Sequence, residues 1–250
     1  MDRIAQDIPV SLANRSAEPR PLTSPLVCGH WRALDKARRA TLLQQVRAAL
    51  AERAVPDARL FAPTVHAQVL SLPFYTEAGL VHVELEPEPG RRSAWTLFVA
   101  EDLVQVVDGR SHWLHAWNAG GRGNRPSPLA TLDAPLAAAY LKFFCGVVWG
   151  EQGPFRVVEC VDDALLAMPT ESARRLGDHV APVVAAPTGD GAFDARAAIW
   201  YGGTLFAAEF RIYQTGMVEM REDEPLAVNV GTCWTMAPPL HQCLNLGSLS

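Results

Sequence analysis

The order of apolar and polar residues divides this chain into helical and β-type segments. Apolar residues recur at helical spacing from about Leu34 to Arg53 and again from Asp133 to Trp149. Between these two segments, runs of β-favouring residues are separated by turn residues. The strands predicted there are 65–72, 80–85, 95–99, 103–107 and 112–117. The pattern thus predicts a helix, a β-meander and a second, more apolar helix.

The segment 196–221 predicts a second meander together with its strand register. Gly202-Gly203 is a two-residue hairpin turn, and a second loop ends at Gly216, a residue that accepts a left-handed backbone. These turns determine which residues face each other. The predicted pairs are Ile199 with Phe206, Ala197 with Ala208, Ile212 with Val218, Phe210 with Met220, Arg211 with Glu219, and Glu209 with Arg221. Four charged side chains are thereby explained as cross-strand ion pairs.

The element order predicts an α+β fold. Its mainly antiparallel sheet consists of two β-meanders packed on one central buried helix, and an amphipathic helix lies N-terminal to them. Residues 1–30 are expected to form an irregular arm, and residues 226–250 an irregular tail. Residues 31–225 are expected to form one domain, with two β-rich halves at about 31–130 and 131–225 as the alternative.

Composition argues against several classes of protein. Of the 250 residues, 49% are hydrophobic and 20% charged, as in ordinary globular proteins. The formal net charge of −5 disfavours general nucleic-acid binding. The N-terminal residues show no secretory signal, and no apolar run is long enough for a membrane span. Five cysteines without framework spacing favour reduced thiols, so we expect a cytoplasmic protein. Abundant Ala and Arg favour a bacterial origin.

The predicted strand 112–117 carries a candidate ligand platform. Alternation places Trp113, His115 and Trp117 on one face, where two indoles flank an imidazole and suit stacking with a flat ligand. The alternative is that both tryptophans pack beneath the core helix, since tryptophan is most often a packing residue.

The loop 119–128 is a candidate anion site. Its backbone amides and the guanidinium groups of Arg122 and Arg125 suit a phosphate or carboxylate. However, its spacing matches neither the P-loop nor the dinucleotide-binding fingerprint. A solvated loop is therefore the favoured interpretation.

Acidic residues around the predicted strand 155–161 are the catalytic candidates. Glu159 shares a strand face with apolar residues, and burial there would raise the pKa of its carboxyl group, as a general acid or base requires. Glu151 and Asp162 lie near it in sequence and suggest a carboxylate cluster for a divalent cation. The alternative is that these acids are solvated at the rim of the sheet.

Soft ligands near both ends of the chain suggest a zinc site. These residues are Cys28, His30, Cys233, His241 and Cys243. Their one-residue gaps are unusual for structural zinc, and the chain has no Cys-x-x-Cys pair. No cofactor is therefore predicted, and zinc remains the alternative.

One face of the second meander predicts an interaction surface. Its outer face is charged at one end and apolar at the other, where Trp200 and Leu205 lie. A contiguous apolar patch is uncommon on a monomer, so either an arm of this chain or a partner is expected to cover it.

No catalytic constellation is complete, so the sequence favours a non-enzymatic function. Our leading hypothesis is a binding or accessory protein that acts through contacts with a protein partner or with a second copy of itself. The first alternative is a metal- or carboxylate-dependent hydrolase that uses the aromatic platform. The second is a zinc-stapled regulatory protein.

Overall fold

A computed structural model describes residues 27, 29–52, 64–76, 78–88, 91–100, 103–120, 127–160, 176–228, 236–237 and 241–245. The helices in this part of the chain are α1 (Lys36–Glu52), α2 (His112–Asn118) and α3 (Ala134–Val147). The strands are β1 (Arg32–Ala33), β2 (Thr64–Ser71), β3 (Gly79–Glu88), β4 (Arg91–Ala100), β5 (Leu103–Val106), β6 (Trp149–Gly150), β7 (Gly153–Pro154), β8 (Arg156–Val158), β9 (Val184–Pro187), β10 (Phe193–Tyr201), β11 (Thr204–Ile212), β12 (Val218–Ala227), β13 (Met236–Ala237) and β14 (His241–Asn245).

The strands build two large antiparallel sheets and a small hairpin. The first sheet has the order β1-β2-β3-β4-β14-β13, and β5 also pairs with β4. The second has the order β12-β11-β10-β8, and β9 pairs with β10 next to the stretch that β8 occupies. Strands β6 and β7 form the hairpin. The predicted α+β class with a mainly antiparallel sheet is confirmed.

The first sheet is buried on both faces. Side chains of one face, among them Leu70, Leu80 and Phe98, belong to the main hydrophobic core. Side chains of the other face, among them Val83 and Leu97, form a second cluster to which Leu43 of α1 contributes. Consecutive residues of β3 are therefore buried, and polar residues of this sheet lose contact with water as well.

The two ends of the described chain differ in how well they follow the predictions. Helix α1 lies within the segment predicted to be helical, and of its described side chains Leu43 is buried while Leu42 is partly buried. The expectation of an irregular tail is wrong in part, because β13 and β14 lie in it and β14 pairs with β4. The part of β4 that does not pair with β5 is free to pair with β14, and this pairing stabilises a strand that the weak periodicity of the tail does not predict.

The predicted strand 112–117 is wrong, since these residues form helix α2. Gly109, at a φ of +80°, turns the chain before the helix begins. Trp113 and Leu114 are neighbours in sequence, yet their side chains are only 7% and 0% exposed. A strand would send them to opposite faces, whereas a helix directs both towards the core. Burial of both residues thus favours the helix.

Helix α3 is the central element of the main core. Asp133 caps it, because its Oδ1 accepts a hydrogen bond from the backbone N–H of Leu136 at 2.9 Å. Its buried residues pack against strands of the second sheet, and the same core includes residues of the first sheet. One core therefore contains residues of α3 and of both sheets.

The register of the second sheet follows most of the prediction. Ile199 faces Phe206 across β10 and β11, and this pair is one of nine consecutive pairs without interruption. Across β11 and β12, Ile212 faces Val218 and Phe210 faces Met220. Arg211 also lies opposite Glu219, as predicted.

A buried chain of hydrogen bonds holds the β11–β12 turn against the helices. The Tyr75 hydroxyl donates to Asn118 Oδ1 at 2.5 Å, and Asn118 Nδ2 donates to the Tyr140 hydroxyl at 2.9 Å. The Tyr140 hydroxyl in turn donates to the carbonyl of Gly216 at 2.8 Å. Burial raises the pKa of Tyr140 to about 12, so this phenol stays protonated and acts as a structural donor.

Candidate functional site

A groove of about 910 Å³ crosses the outer face of the second sheet. Strands β10 and β11 form its floor, the segment 178–184 with β9 forms one wall, and residues 221–224 of β12 form the other. Its volume lies in the range of ligand-binding clefts in proteins. The groove is thus large enough to take several side chains of a partner molecule.

Small residues make up the middle of the groove floor. Ala198 of β10 faces Ala207 of β11, but Ala198 is only 3% exposed and belongs to a small core with Leu176 and Val180, so Ala207 is the member of this pair that remains partly exposed to the groove. On the wall, the Val184 side chain is 74% exposed although it is apolar. The floor therefore leaves room above it, and the wall offers an apolar contact at its rim.

A β-bulge changes the charge of this face. Glu209 faces Glu222, whereas its neighbour Phe210 faces Met220, so Arg221 is an extra residue in β12. The predicted pair of Glu209 with Arg221 is therefore wrong. The bulge moves Glu222 into the position that the regular register gives to Arg221, and two carboxylates now face each other across the ladder.

The carboxylates of the groove differ in whether they are neutralised. Arg196 forms an ion pair with Glu209, its directly opposite neighbour on β10. Arg211 Nη1 lies 3.2 Å from Asp194 Oδ1. A second set of groove carboxylates has no ion-pair partner among the described residues, namely Asp178, Glu222 and Glu224. The groove consequently has an excess of negative charge.

Arg211 forms its ion pairs away from the predicted partner. Its guanidinium binds Asp190 as well as Asp194, while Glu219 accepts a hydrogen bond from the Tyr213 hydroxyl at 2.8 Å. The Thr188 hydroxyl and Arg211 lower the pKa of Asp190 to about 2 through their hydrogen bonds. Arg211 and Glu219 thus face each other in the register without forming an ion pair, because Arg211 binds Asp190 of the β9–β10 turn instead.

The outer edge of β12 is poorly suited to adding another strand. Pro225 lacks an N–H group, and a second irregularity separates Leu205 and Phe206 of β11 in their pairing with β12. Charged residues, proline and bulges are the usual features that prevent strands from pairing at an exposed edge. A ligand is therefore expected on the face of this sheet and not along its edge.

The predicted interaction surface at Trp200 and Leu205 is wrong, since the chain itself covers these residues. Their side chains are 6% and 0% exposed, and they form a small core with Leu176 and Val180. Leu226 packs against the same cluster. The covering segment comes from the chain's own linker and from the end of β12, so this half of the outer face is not available to a partner.

The aromatic platform does not have the predicted geometry. In helix α2, Trp113 and Trp117 lie one turn apart on the same side, whereas His115 is exposed on another side. Trp113 packs against Phe98 with a ring-centroid distance of 5.3 Å, and Trp117 does so at 5.6 Å. Both indoles are therefore packing residues. Arg122 and Arg125, the anion-binding candidates of the neighbouring loop, lie outside the described residues.

The described residues do not form the predicted carboxylate cluster. Glu159 accepts hydrogen bonds from Lys142 Nζ at 3.1 and 3.2 Å and from the backbone N–H of Val183 at 3.2 Å. Glu151 is exposed, and Asp162 lies outside the described residues. Glu159 thus connects α3 to the segment before β9, which is a structural task.

The zinc hypothesis receives no support from the sheet order. Cys28 and Cys233 lie outside the described residues, and His30 precedes β1 while His241 and Cys243 belong to β14. Three strands separate β1 from β14, a distance of about 19 Å at the usual spacing of strands. Among the described residues, no three His, Cys, Asp or Glu side chains are grouped closely enough to hold a metal ion.

Comparison with protein-family models, with curated proteins and with solved structures found no match to this chain. Within the described residues, every helix is too short or too polar to cross a lipid bilayer.

Sequence reasoning missed the groove because its parts are far apart in the chain. The acidic run Glu222-Asp223-Glu224 was the one local signal, and it stands directly before Pro225. The opposite wall comes from residues 178–184, about 40 positions earlier. Only the fold brings these two segments to the same sheet face.

Proposed function

We propose that this protein is a binding module that takes part of a partner protein into the groove on the outer face of its second sheet. The observation that carries the proposal is the concave, alanine-floored surface of about 910 Å³ with the exposed side chain of Val184 at its rim. This concave shape and the exposed apolar side chain at its rim support the binding of a partner in the groove.

A non-enzymatic role agrees with the state of the polar groups. The carboxylate first considered for catalysis, Glu159, is held by Lys142, and the buried tyrosines are fixed in a structural chain of hydrogen bonds. Among the described residues, the carboxylates of the groove are not grouped closely enough in threes to hold a metal ion. We place this binding activity in the cytoplasm, because the sequence has an odd number of cysteines without the spacing of a disulfide framework.

Site-directed photo-crosslinking tests this proposal. A photoreactive phenylalanine analogue at Val184 is expected to yield a discrete adduct in the native host, whereas the same analogue at exposed Ala116 of α2 is not. Replacing the floor residue Ala207 with Phe fills the groove and is expected to abolish the Val184 adduct without unfolding the protein. Identical adducts at both positions, or an adduct that persists in Ala207→Phe, would show that the groove is not the binding site.

A further inference from the structure

The proposed function leaves the chemistry of the partner open, and the following inference rests on it. We propose that the groove binds an extended polybasic segment of a partner protein, with Lys or Arg at alternate positions, through the side chains of that segment.

Charge complementarity is the first argument. Three groove carboxylates have no ion-pair partner among the described residues, and one of them, Glu222, lies opposite Glu209 across the ladder. Like charges in this cross-strand arrangement destabilise a sheet. Arg196 already binds Glu209, so a positively charged ligand is expected at Asp178, Glu222 and Glu224, where several contacts bind it more strongly than a single exposed carboxylate does.

The spacing of the carboxylates indicates the form of the cation. Glu222, Asp223 and Glu224 follow one another in pairing with Glu209, Ala208 and Ala207. Glu222 and Glu224 therefore lie on the same face, about 7 Å apart along the strand. A partner chain in extended conformation presents alternate side chains at the same interval, so successive cations match successive carboxylates.

The arrangement disfavours a metal ion as the ligand. A divalent cation requires oxygen ligands that converge within coordination distance. The described carboxylates are instead spread along the groove, and no three of them are grouped closely enough to coordinate one ion. Charges distributed in this way suit a ligand whose own charges are distributed.

The floor and the edge of the sheet define how such a segment lies. The small, partly exposed side chain of Ala207 leaves room for the aliphatic stems of Lys or Arg, which bury along apolar surface while their charged ends stay at the carboxylates. Pro225 and the bulges of β12 disfavour backbone pairing at the edge. The contacts are therefore made by side chains over the face of the sheet.

Fluorescence anisotropy with a labelled peptide of alternating Arg and Ala, about ten residues long, tests the inference. We expect saturable binding that weakens strongly when the salt concentration is raised, because the groove charges are exposed. Glu222→Lys is expected to weaken binding about tenfold. The matched control Glu151→Lys makes the same change of charge at an exposed site outside the groove and is expected to have less than a twofold effect.

Several results would overturn this inference. Equal weakening by both charge reversals would show a general electrostatic attraction, and tighter binding of spermine than of the peptide would identify a small polyamine as the ligand. Lack of peptide binding would also contradict it. A Val184 adduct that maps to a partner segment without Lys or Arg would exclude the polybasic ligand while the proposed binding function stands. Loss of the groove-specific adduct would exclude both.

Discussion

The two sheets differ in whether their polar residues are buried or exposed to water. The first sheet is covered on both faces, so its Gln68, His82, Glu84 and Thr96 are buried with the hydrophobic residues. The second sheet is covered on its inner face and on one half of its outer face, and the charged residues of the other half remain in water. Similar residue types therefore have different consequences in the two sheets.

Because of this difference, the buried polar residues of the first sheet affect stability, whereas the solvated charges of the second sheet are available for binding. A buried ionisable group must be compensated within the protein, and a change to it alters the free energy of unfolding. A solvated charge contributes little to stability and is free to act on a ligand. Glu84 of β3, which is 1% exposed, belongs to the first kind, whereas Glu222 and Glu224 belong to the second.

The largest expected effect concerns His82 and the acid stability of the protein. Burial, followed by electrostatic interaction with His66 and Arg156, lowers the pKa of His82 to about 3. In the unfolded chain this pKa is near 6.5, so between these values the unfolded state binds a proton that the folded state excludes. The free energy of unfolding should fall by about 1.4 kcal/mol for each pH unit below 6.5, and be independent of His82 above it.

Urea denaturation between about pH 6.5 and pH 5 measures this slope, above the range where carboxyl groups titrate. His82→Gln should flatten the pH dependence, because its side chain has no proton to gain. The matched control His179→Gln, at an exposed position in the groove wall, should leave the slope unchanged. Equal slopes in the two variants would mean that His82 is not the group responsible.

The comparison also shows which features a sequence can predict. The Gly202-Gly203 turn determined the register of β10 and β11, because a two-residue hairpin leaves no freedom in the pairing. The bulge at Arg221 could not be predicted, since an extra residue in one strand does not disturb the composition of that strand. The pairing of the charged ladder was therefore right at Arg211 and Glu219 and wrong at Glu209.

Tertiary burial explains the other errors. For residues 112–117, alternation fits a strand, but the same residues also place Trp113 and Trp117 one helical turn apart. The choice depends on the surrounding core, which packs Trp113 and Leu114 together. Likewise, the apolar half of the second sheet was correctly expected to be covered, and the structure identifies an internal segment as the cover.

The two turns of the second sheet provide the next prediction. Gly216 and Gly203 have φ values of +79° and +81°, so alanine is strained at both. A Cβ atom at Gly216 would also collide with Asn118 and lie 2.7 Å from the Tyr140 hydroxyl, whereas at Gly203 it would meet no atom within 4 Å. We expect Gly216→Ala to lower the free energy of unfolding by about 2–4 kcal/mol, and Gly203→Ala by about 1 kcal/mol.

Chemical denaturation of the two variants under the same conditions measures this difference. If both substitutions cost the same, backbone strain alone decides the effect, and the hydrogen-bond chain from Tyr75 to Gly216 has no part in holding the turn. A larger cost at Gly216 would show that the buried side of the sheet depends on close packing at this point.

The smallest expected effect lies on the solvated side of the comparison, at the charged row of the groove. Glu222→Lys replaces a pair of like charges opposite Glu209 with a pair of opposite charges. The free energy of unfolding should rise by about 0.2–1 kcal/mol. Asp223→Lys is the matched control, because it makes the same change of charge on the same strand but faces Ala208. Thermal unfolding of the two variants at low salt measures the difference.

A loss of stability in Glu222→Lys would mean that the acidic row supports the sheet, and the groove would then lose its distinction from the buried polar groups of the first sheet. A small gain, together with the loss of peptide binding, is the result expected of charges that serve a ligand at a slight cost to the fold.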